Sequence, residues 1–165
     1  MAKELANKGL DDIHWKIIQQ LQMNARITLV EIGKRIGLSA PAVAERIKKL
    51  EDDGYITGYR TIVDYDKLGL SVPVFISYKA TKISHREMIE MLDKMPEVVE
   101  WYGITGTHCA LCKVVVPSTK DLEIVIENLQ QFGETSTSII LSSNSEPKIV
   151  GRSHNFILQT KDASP

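Results

Sequence analysis

Cysteine is nearly absent from this chain of 165 residues, which carries only Cys109 and Cys112. Two neighbouring thiols cannot staple a small secreted scaffold, so a disulfide framework is excluded and the reducing cytoplasm is the expected location. No apolar run approaches the roughly 20 residues that a membrane-spanning helix requires. The opening Met1-Ala2-Lys3-Glu4-Leu5 lacks the apolar core of a secretory signal, and no membrane partner is expected. Phosphate-binding and dinucleotide-binding glycine motifs are missing, as are internal repeats of solenoid period. No nucleophile–base–orienter set stands out, so neither an enzyme nor a cofactor is expected. An excess of charge of one sign is missing too: the net charge is −1. Any affinity for nucleic acid must therefore come from a local concentration of charge. What remains, 43% hydrophobic and 25% charged residues, is the balance of a soluble globular protein.

Residues 64–69 divide the chain into a helical half and a half that alternates strand and helix. A first helix is predicted over residues 12–22, capped by Asp11, with Ile13, Ile17 and Leu21 recurring at helical spacing. A second is predicted over residues 29–36. Thr28 and Glu31 form its capping box, Leu29, Ile32 and Ile36 its apolar stripe, and Gly37 its end. The third has Ser39 as N-cap and Pro41 in the first turn; Val43, Ile47 and Leu50 face inward, and Gly54 closes it. Only Gly37, Leu38 and Ser39 separate the last two helices, and so short a connection forces the sharp crossing of a helix-turn-helix. Residues 55–63 are β-rich and read as a wing or connecting strand.

The second half is predicted as β-α-β-β-α-β: strands over residues 73–81, 98–105, 109–116 and 135–142, with helices opened by Ser84 and Ser118 and closed near Pro96 and Gly133. That order is the split βαβ, ferredoxin-like arrangement. A further strand is expected over residues 148–157, followed by a polar tail. The fold class is thus α+β: a helix-turn-helix, winged-helix-like domain over residues 1–64 and a ferredoxin-like domain over residues 65–165.

Charge concentrates on the third helix. Residues 25–50 hold Arg26, Lys34, Arg35, Arg46, Lys48 and Lys49 against Glu31 and Glu45, a net +4 in a chain whose sum is −1. With Val43, Ile47 and Leu50 committed inward, the outer face is expected to present Ala42, Glu45, Arg46 and Lys49, with Lys48 to one side. Ser39 and Ala40 are small enough for the helix start to enter a major groove. Arg46 and Lys49 suit phosphates or guanine edges. The helix starts at Thr28 and Ser39 add backbone N–H groups able to meet phosphate. Double-stranded DNA is the expected partner.

The ordered series Leu10-Asp11-Asp12, Ala25-Arg26, Glu31-Ile32-Gly33, Gly37-Leu38-Ser39, Arg46-Ile47-Lys48-Lys49-Leu50-Glu51, Gly54-Tyr55-Ile56 and Gly58-Tyr59 resembles the Lrp/AsnC (leucine-responsive, feast/famine) regulators. The resemblance runs on through Leu68-Gly69 to Gly106 and Thr135-Ser136-Thr137, covering roughly residues 10–145. It implies a transcriptional regulator whose second domain senses a ligand and forms homodimers that assemble into octamers. It implies operator binding through the second and third helices, with Ser39, Ala42, Glu45, Arg46 and Lys49 as contacts. It also implies an amino-acid effector cleft around the hairpin Gly103–Cys109, including Gly106, Thr107, His108 and, from the last strand, Ser136. At Cys109 the chain departs from the aspartate the family commonly carries three residues after the hairpin glycine. A thiol cannot hold a ligand's ammonium group as a carboxylate does, which implies a different effector or none.

Other readings of the same residues are weaker. Cys109 and Cys112, three apart on one strand, would point to opposite faces and share neither a disulfide nor a metal. His14, His85 and His154 lack ligand spacing. Trp15 and Trp101 read as core or interface anchors, and Met88, Met91 and Met95 as helix packing. A non-DNA ligand-binding oligomer, a DNA-organising protein of low specificity and a small enzyme built around Cys109 are the alternative functions.

Overall fold

The computed structural model describes residues 10–143 and 148–151. They divide into two compact units, one formed by residues 10–61 with 148–151 and the other by residues 62–143.

In the first unit, α1 (Asp12–Met23), α2 (Leu29–Ile36) and α3 (Ala40–Asp52) each begin on a side-chain cap. His14 N–H donates to Asp11 Oδ1 at 2.8 Å, and Asp11 N–H donates to His14 Nδ1 at 3.2 Å. This is a reciprocal box in which histidine takes the place usual for glutamate. Thr28 and Glu31 form the expected box on α2, and Ser39 Oγ accepts from Ala42 N–H on α3. α2 ends at Gly37, whose φ of 77° is a left-handed conformation that any Cβ would oppose. The Gly33 carbonyl accepts from both Gly37 N–H and Leu38 N–H at 2.9 Å. A Cβ at Gly33 would stand 2.4 Å from Leu38 O, so the turn closes this tightly only because residue 33 has no side chain.

Ile17, Ile32, Val43 and Leu50 form the centre of this unit, one or two from each helix and all at most 1% exposed. Burying such side chains contributes about 2 kcal/mol apiece, before the entropy of ordering them is deducted. The strand expected over residues 55–63 does not form. Its donors are used elsewhere: Tyr55 N–H and Ile56 N–H both turn back to Leu50 O, and Tyr59 Oη donates to Glu51 Oε1 at 2.8 Å. With these groups folded onto the end of α3, no neighbouring strand among the described residues completes a ladder.

Residues 148–151, grouped above with the second half, belong instead to the first unit. The Gln22 side-chain amide accepts from Val150 N–H and donates to Val150 O. These residues are not a strand, and the rest of the stretch expected to form one lies outside the described residues.

The second unit contains β1 (Val72–Ala80), α4 (His85–Lys94), β2 (Val98–Gly103), β3 (Ala110–Val116), α5 (Thr119–Gln130) and β4 (Gly133–Ile139). The four strands form one antiparallel sheet in the order β2-β3-β1-β4. Each crossover helix skips one strand position, which is the ferredoxin-like topology. Val74, Ile76 and Tyr78 on β1 align with Val114, Cys112 and Ala110 on β3, and all six are fully buried. They pack with Met88 and Leu92 of α4 and Leu122, Val125 and Leu129 of α5. Alternation places Phe75, Ser77 and Lys79 on the opposite, open face.

Candidate functional site

The outer surface of the helix-turn-helix is built by what the core leaves over. On α3, Pro41, Glu45, Lys48 and Lys49 are exposed, while Ala40 and Ala42 are half-buried. On α2, Glu31, Lys34 and Arg35 are exposed. Among the described residues Lys34, Lys48 and Lys49 are in no ion pair, so their ammonium groups are available to an outside anion. Arg35 Nη1 donates to Gln20 Oε1, which ties it to α1. Thr28 and Ser39 sit at the helix starts as caps, each on an exposed turn.

Arg46 is placed differently from the expectation that it lies on the outer face. Its Nη1 donates to Asp11 Oδ2 at 2.6 Å and lies 3.4 Å from His14 Nε2. Residue 46 completes the i, i+3, i+4, i+7 stripe of Val43, Ile47 and Leu50, so its stem leans toward α1 and its guanidinium caps the edge of the core. Partial desolvation pushes the Asp11 carboxyl up. The His14 amide, the Arg46 hydrogen bond and the neighbouring charges more than offset this and hold it below its ordinary value. Nothing local in the sequence pairs Asp11 and His14 with Arg46; the signal it does carry is that position 46 falls on the core stripe.

Glu31 is likewise held below its ordinary value, first by the Thr28 amide, then by the Thr28 hydroxyl and by Arg35 and Lys34. Its charge is spent on its own helix start. At the end of α3, burial and then Glu51 push the Tyr59 hydroxyl up to about 12, so it remains a donor.

The hairpin between β2 and β3 exposes Gly103, Gly106 and Thr107 and half-buries His108 and Cys109. Gly106 has φ of 116°, which is open to glycine and strained for other residues. Cys109 does not face outward. Its Sγ donates to Tyr78 O at 3.4 Å, accepts from Ala80 N–H at 3.3 Å and lies 3.4 Å from Met88 Sδ. Because Cys109 precedes β3 rather than lying in it, strand alternation does not apply. Its thiol joins the same core as that of Cys112, contrary to the expected divergence, and both are free. Burial, then the neighbouring Cys109, pushes the Cys112 thiol up to about 11.

Ser136 pairs with Ser77, and that row, with Leu111 and Tyr102, lies on the open face. Cys109 and Ser136 are therefore on opposite sides of the sheet within this chain. Among the described residues no group of His, Cys, Asp and Glu could hold a metal ion, and no helix is long and apolar enough to cross a membrane.

Two family models match the chain: the winged helix-turn-helix DNA-binding model over residues 10–57 and the Lrp/AsnC ligand binding domain over residues 71–149. The HTH-type transcriptional regulator YezC of Bacillus subtilis is 40% identical over 136 residues, covering 82% of this chain and 96% of that protein. LrpB of the same organism is 35% identical, covering 75% of this chain and 83% of its own length. Among solved structures, that of Bacillus subtilis LrpC superposes with a TM-score of 0.77 at 30% identity, covering 81% of this chain and 96% of that one. The complex of the Neisseria meningitidis regulator NMB0573 with L-Met gives 0.81 at 26%, covering 88% and 99%. A helix-turn-helix whose lysines 34, 48 and 49 are in no ion pair among the described residues, a ferredoxin-like sheet later in the chain and these matches over both halves agree: the chain belongs to the Lrp/AsnC family of DNA-binding transcriptional regulators.

Proposed function

We propose that this regulator reads operator DNA by laying α3 in the major groove, with Lys48 and Lys49 on phosphates and Glu45 toward a base edge. The three unpaired lysines around the turn are the observation that carries this reading. Ser39, Ala40 and Ala42 let the start of α3 approach closely and meet phosphate through its backbone N–H, whereas at the start of α2 the Thr28 N–H is already taken by Glu31 Oε2. Arg46 serves mainly by fixing α3 against α1. The chain acts in the cytoplasm as a homodimer whose two reading heads engage half-sites about one helical turn apart, or a multiple of it, and dimers assemble further toward an octamer.

The hairpin with Gly103, Gly106, Thr107 and His108, together with Ser136, forms the effector region. The L-Met complex of the Neisseria relative, and the name of a glutamate uptake regulatory protein of Zymomonas mobilis that is 33% identical over 125 residues, support an amino acid or a close relative as the effector. Cys109, turned inward onto Met88, takes no part in holding a ligand's ammonium group.

Fluorescence anisotropy with the protein's own upstream fragment, against random-sequence competitor and at several salt concentrations, tests the DNA reading. The expected result is a preference for the genomic fragment with a steep salt dependence. Equal affinity for both DNAs would replace the regulator with a low-specificity organiser. A thermal-shift screen of amino acids tests the effector: at 100 times its dissociation constant a ligand stabilises by about 2.7 kcal/mol.

A further inference from the structure

Among the described residues His14 is the one polar or charged residue that is buried, and DNA reading does not use it. Its ring stands between a carboxylate and a guanidinium. Nδ1 lies 3.2 Å from Asp11 N and 3.0 Å from Asp11 Oδ1, and Nε2 lies 3.4 Å from Arg46 Nη1. The same Arg46 nitrogen donates to Asp11 Oδ2 at 2.6 Å.

A neutral imidazole has one acceptor nitrogen. At Nδ1 it takes the Asp11 amide and completes the capping box; at Nε2 it takes the Arg46 guanidinium. An imidazolium has no acceptor for either donor. It would keep Asp11 Oδ1 as its partner, and Arg46 would be left facing a like charge. Asp11, held below its ordinary value despite partial desolvation by the His14 amide and Arg46, stays ionised wherever a histidine titrates. One carboxylate then stands between two cations.

The other charged groups around the ring do not relieve this. Asp12 and Lys16 of α1 and Glu45, Lys48 and Lys49 of α3 are exposed, and Arg35 of α2 is tied to Gln20. Arg60, from the segment after α3, lies in the surface lined by Trp15, Leu21 and Gln22. Of the two partners now in conflict, the ring is buried and fixed, whereas Arg46 is half-buried on a long stem. Ala42 and Lys49 flank it at i−4 and i+3, so rotation of that stem carries the guanidinium to the face they share.

We propose that His14 is a proton-operated hold on Arg46: the neutral ring keeps the guanidinium against α1, and the imidazolium releases it to the outer face of α3, where it adds a phosphate contact to those of Lys48 and Lys49. The regulator thereby grips DNA more firmly as pH falls. This rests on the reading that α3 lies on DNA.

Ring-nitrogen NMR shifts of His14 in the full-length protein report its protonation between about pH 8 and 5, where histidine ordinarily titrates. Salt dependence of binding to the protein's own upstream fragment is measured over the same range. The slope of log affinity against log salt should steepen by about one unit on the acid side, in step with the His14 titration. In His14→Gln, whose amide still accepts the Asp11 N–H, the slope should not change with pH. Asp11→Asn keeps the cap and frees the guanidinium, so its slope should be steep throughout. His85, His108 and His154 remain in all three proteins, so their titration is common to them. A ring that stays neutral throughout, or a slope that steepens equally in wild type and His14→Gln, overturns the proposal.

Should the protein prefer no DNA, the regulator reading fails by itself and urea unfolding decides on the hold. The coupling between Arg46→Ala and Asp11→Asn should be present at the alkaline end and fall toward zero at the acid end. Equal coupling at both ends refutes the hold.

Discussion

Arg46 Nη1 and Asp11 Oδ2, 35 residues apart in sequence, meet at 2.6 Å and join α3 to the start of α1. Both side chains are partly exposed, at 31% and 49%, so solvent screens the pair. The double-mutant cycle of Arg46→Ala and Asp11→Asn is expected to give a coupling of about 0.5–1 kcal/mol in urea unfolding. Asparagine still caps α1, so the cycle isolates the pair. Strictly additive losses would return Arg46 to the outer face.

Lys48→Ala and Lys49→Ala separate binding from folding. Neither lysine has a partner among the described residues, so each change should leave stability within about 0.5 kcal/mol of wild type. Each should lower the slope of log affinity against log salt by about one unit. A wild-type slope in either variant removes that residue from the interface.

Gly33→Ala tests the turn. With 2.4 Å between the added Cβ and Leu38 O, α2 and the turn must separate, at a cost of about 1–3 kcal/mol. The helical unit should lose several degrees of melting temperature, since about 1 kcal/mol moves a domain of this size by roughly 4–8 °C. Calorimetry showing an unchanged transition would mean that the turn is looser than described.

Acid sensitivity follows from three carboxylates. Asp11, Glu31 and Glu87 all lie below their ordinary values of 3.8, 4.5 and 4.5 in the folded chain; for Glu87 the Ser84 amide is the leading cause. A lowered folded pKa means that the unfolded chain binds protons first as pH falls. The stabilisation is therefore complete at neutral pH and is lost as pH drops through the ordinary values toward the folded ones. The urea midpoint should fall between pH 6 and about pH 3. Glu31→Gln with Glu87→Gln should flatten that profile, and an unaltered profile would exclude these caps as its source.

The two thiols should differ in reactivity. Cys112 is fully buried and its thiol is pushed up to about 11, whereas Cys109 is only half-buried. Iodoacetamide at mildly alkaline pH should label at most Cys109 in the native protein and both in urea, read by peptide mass spectrometry. Native labelling of Cys112 would show that the sheet core opens readily.

Helix starts, the tight turn and the β-α-β-β-α-β order are local properties, written in caps, glycines and apolar spacing, and the amino-acid sequence alone determined them. The structure reproduces Asp11, Thr28, Ser39, Ser84 and Ser118 as caps because a cap needs only its own first turn. Three-dimensional packing decided the rest. Arg46 turned inward because an acidic cap from a distant helix lies beside it. Residues 55–63 form no strand because Leu50 O takes the Tyr55 and Ile56 amides and no strand lies beside the rest among the described residues. Cys109 left the hairpin surface because Met88 and Tyr78 offered its sulfur a place in the core. Each outcome depends on which side chain arrives from elsewhere in the chain, and periodicity within a segment carries no information about that.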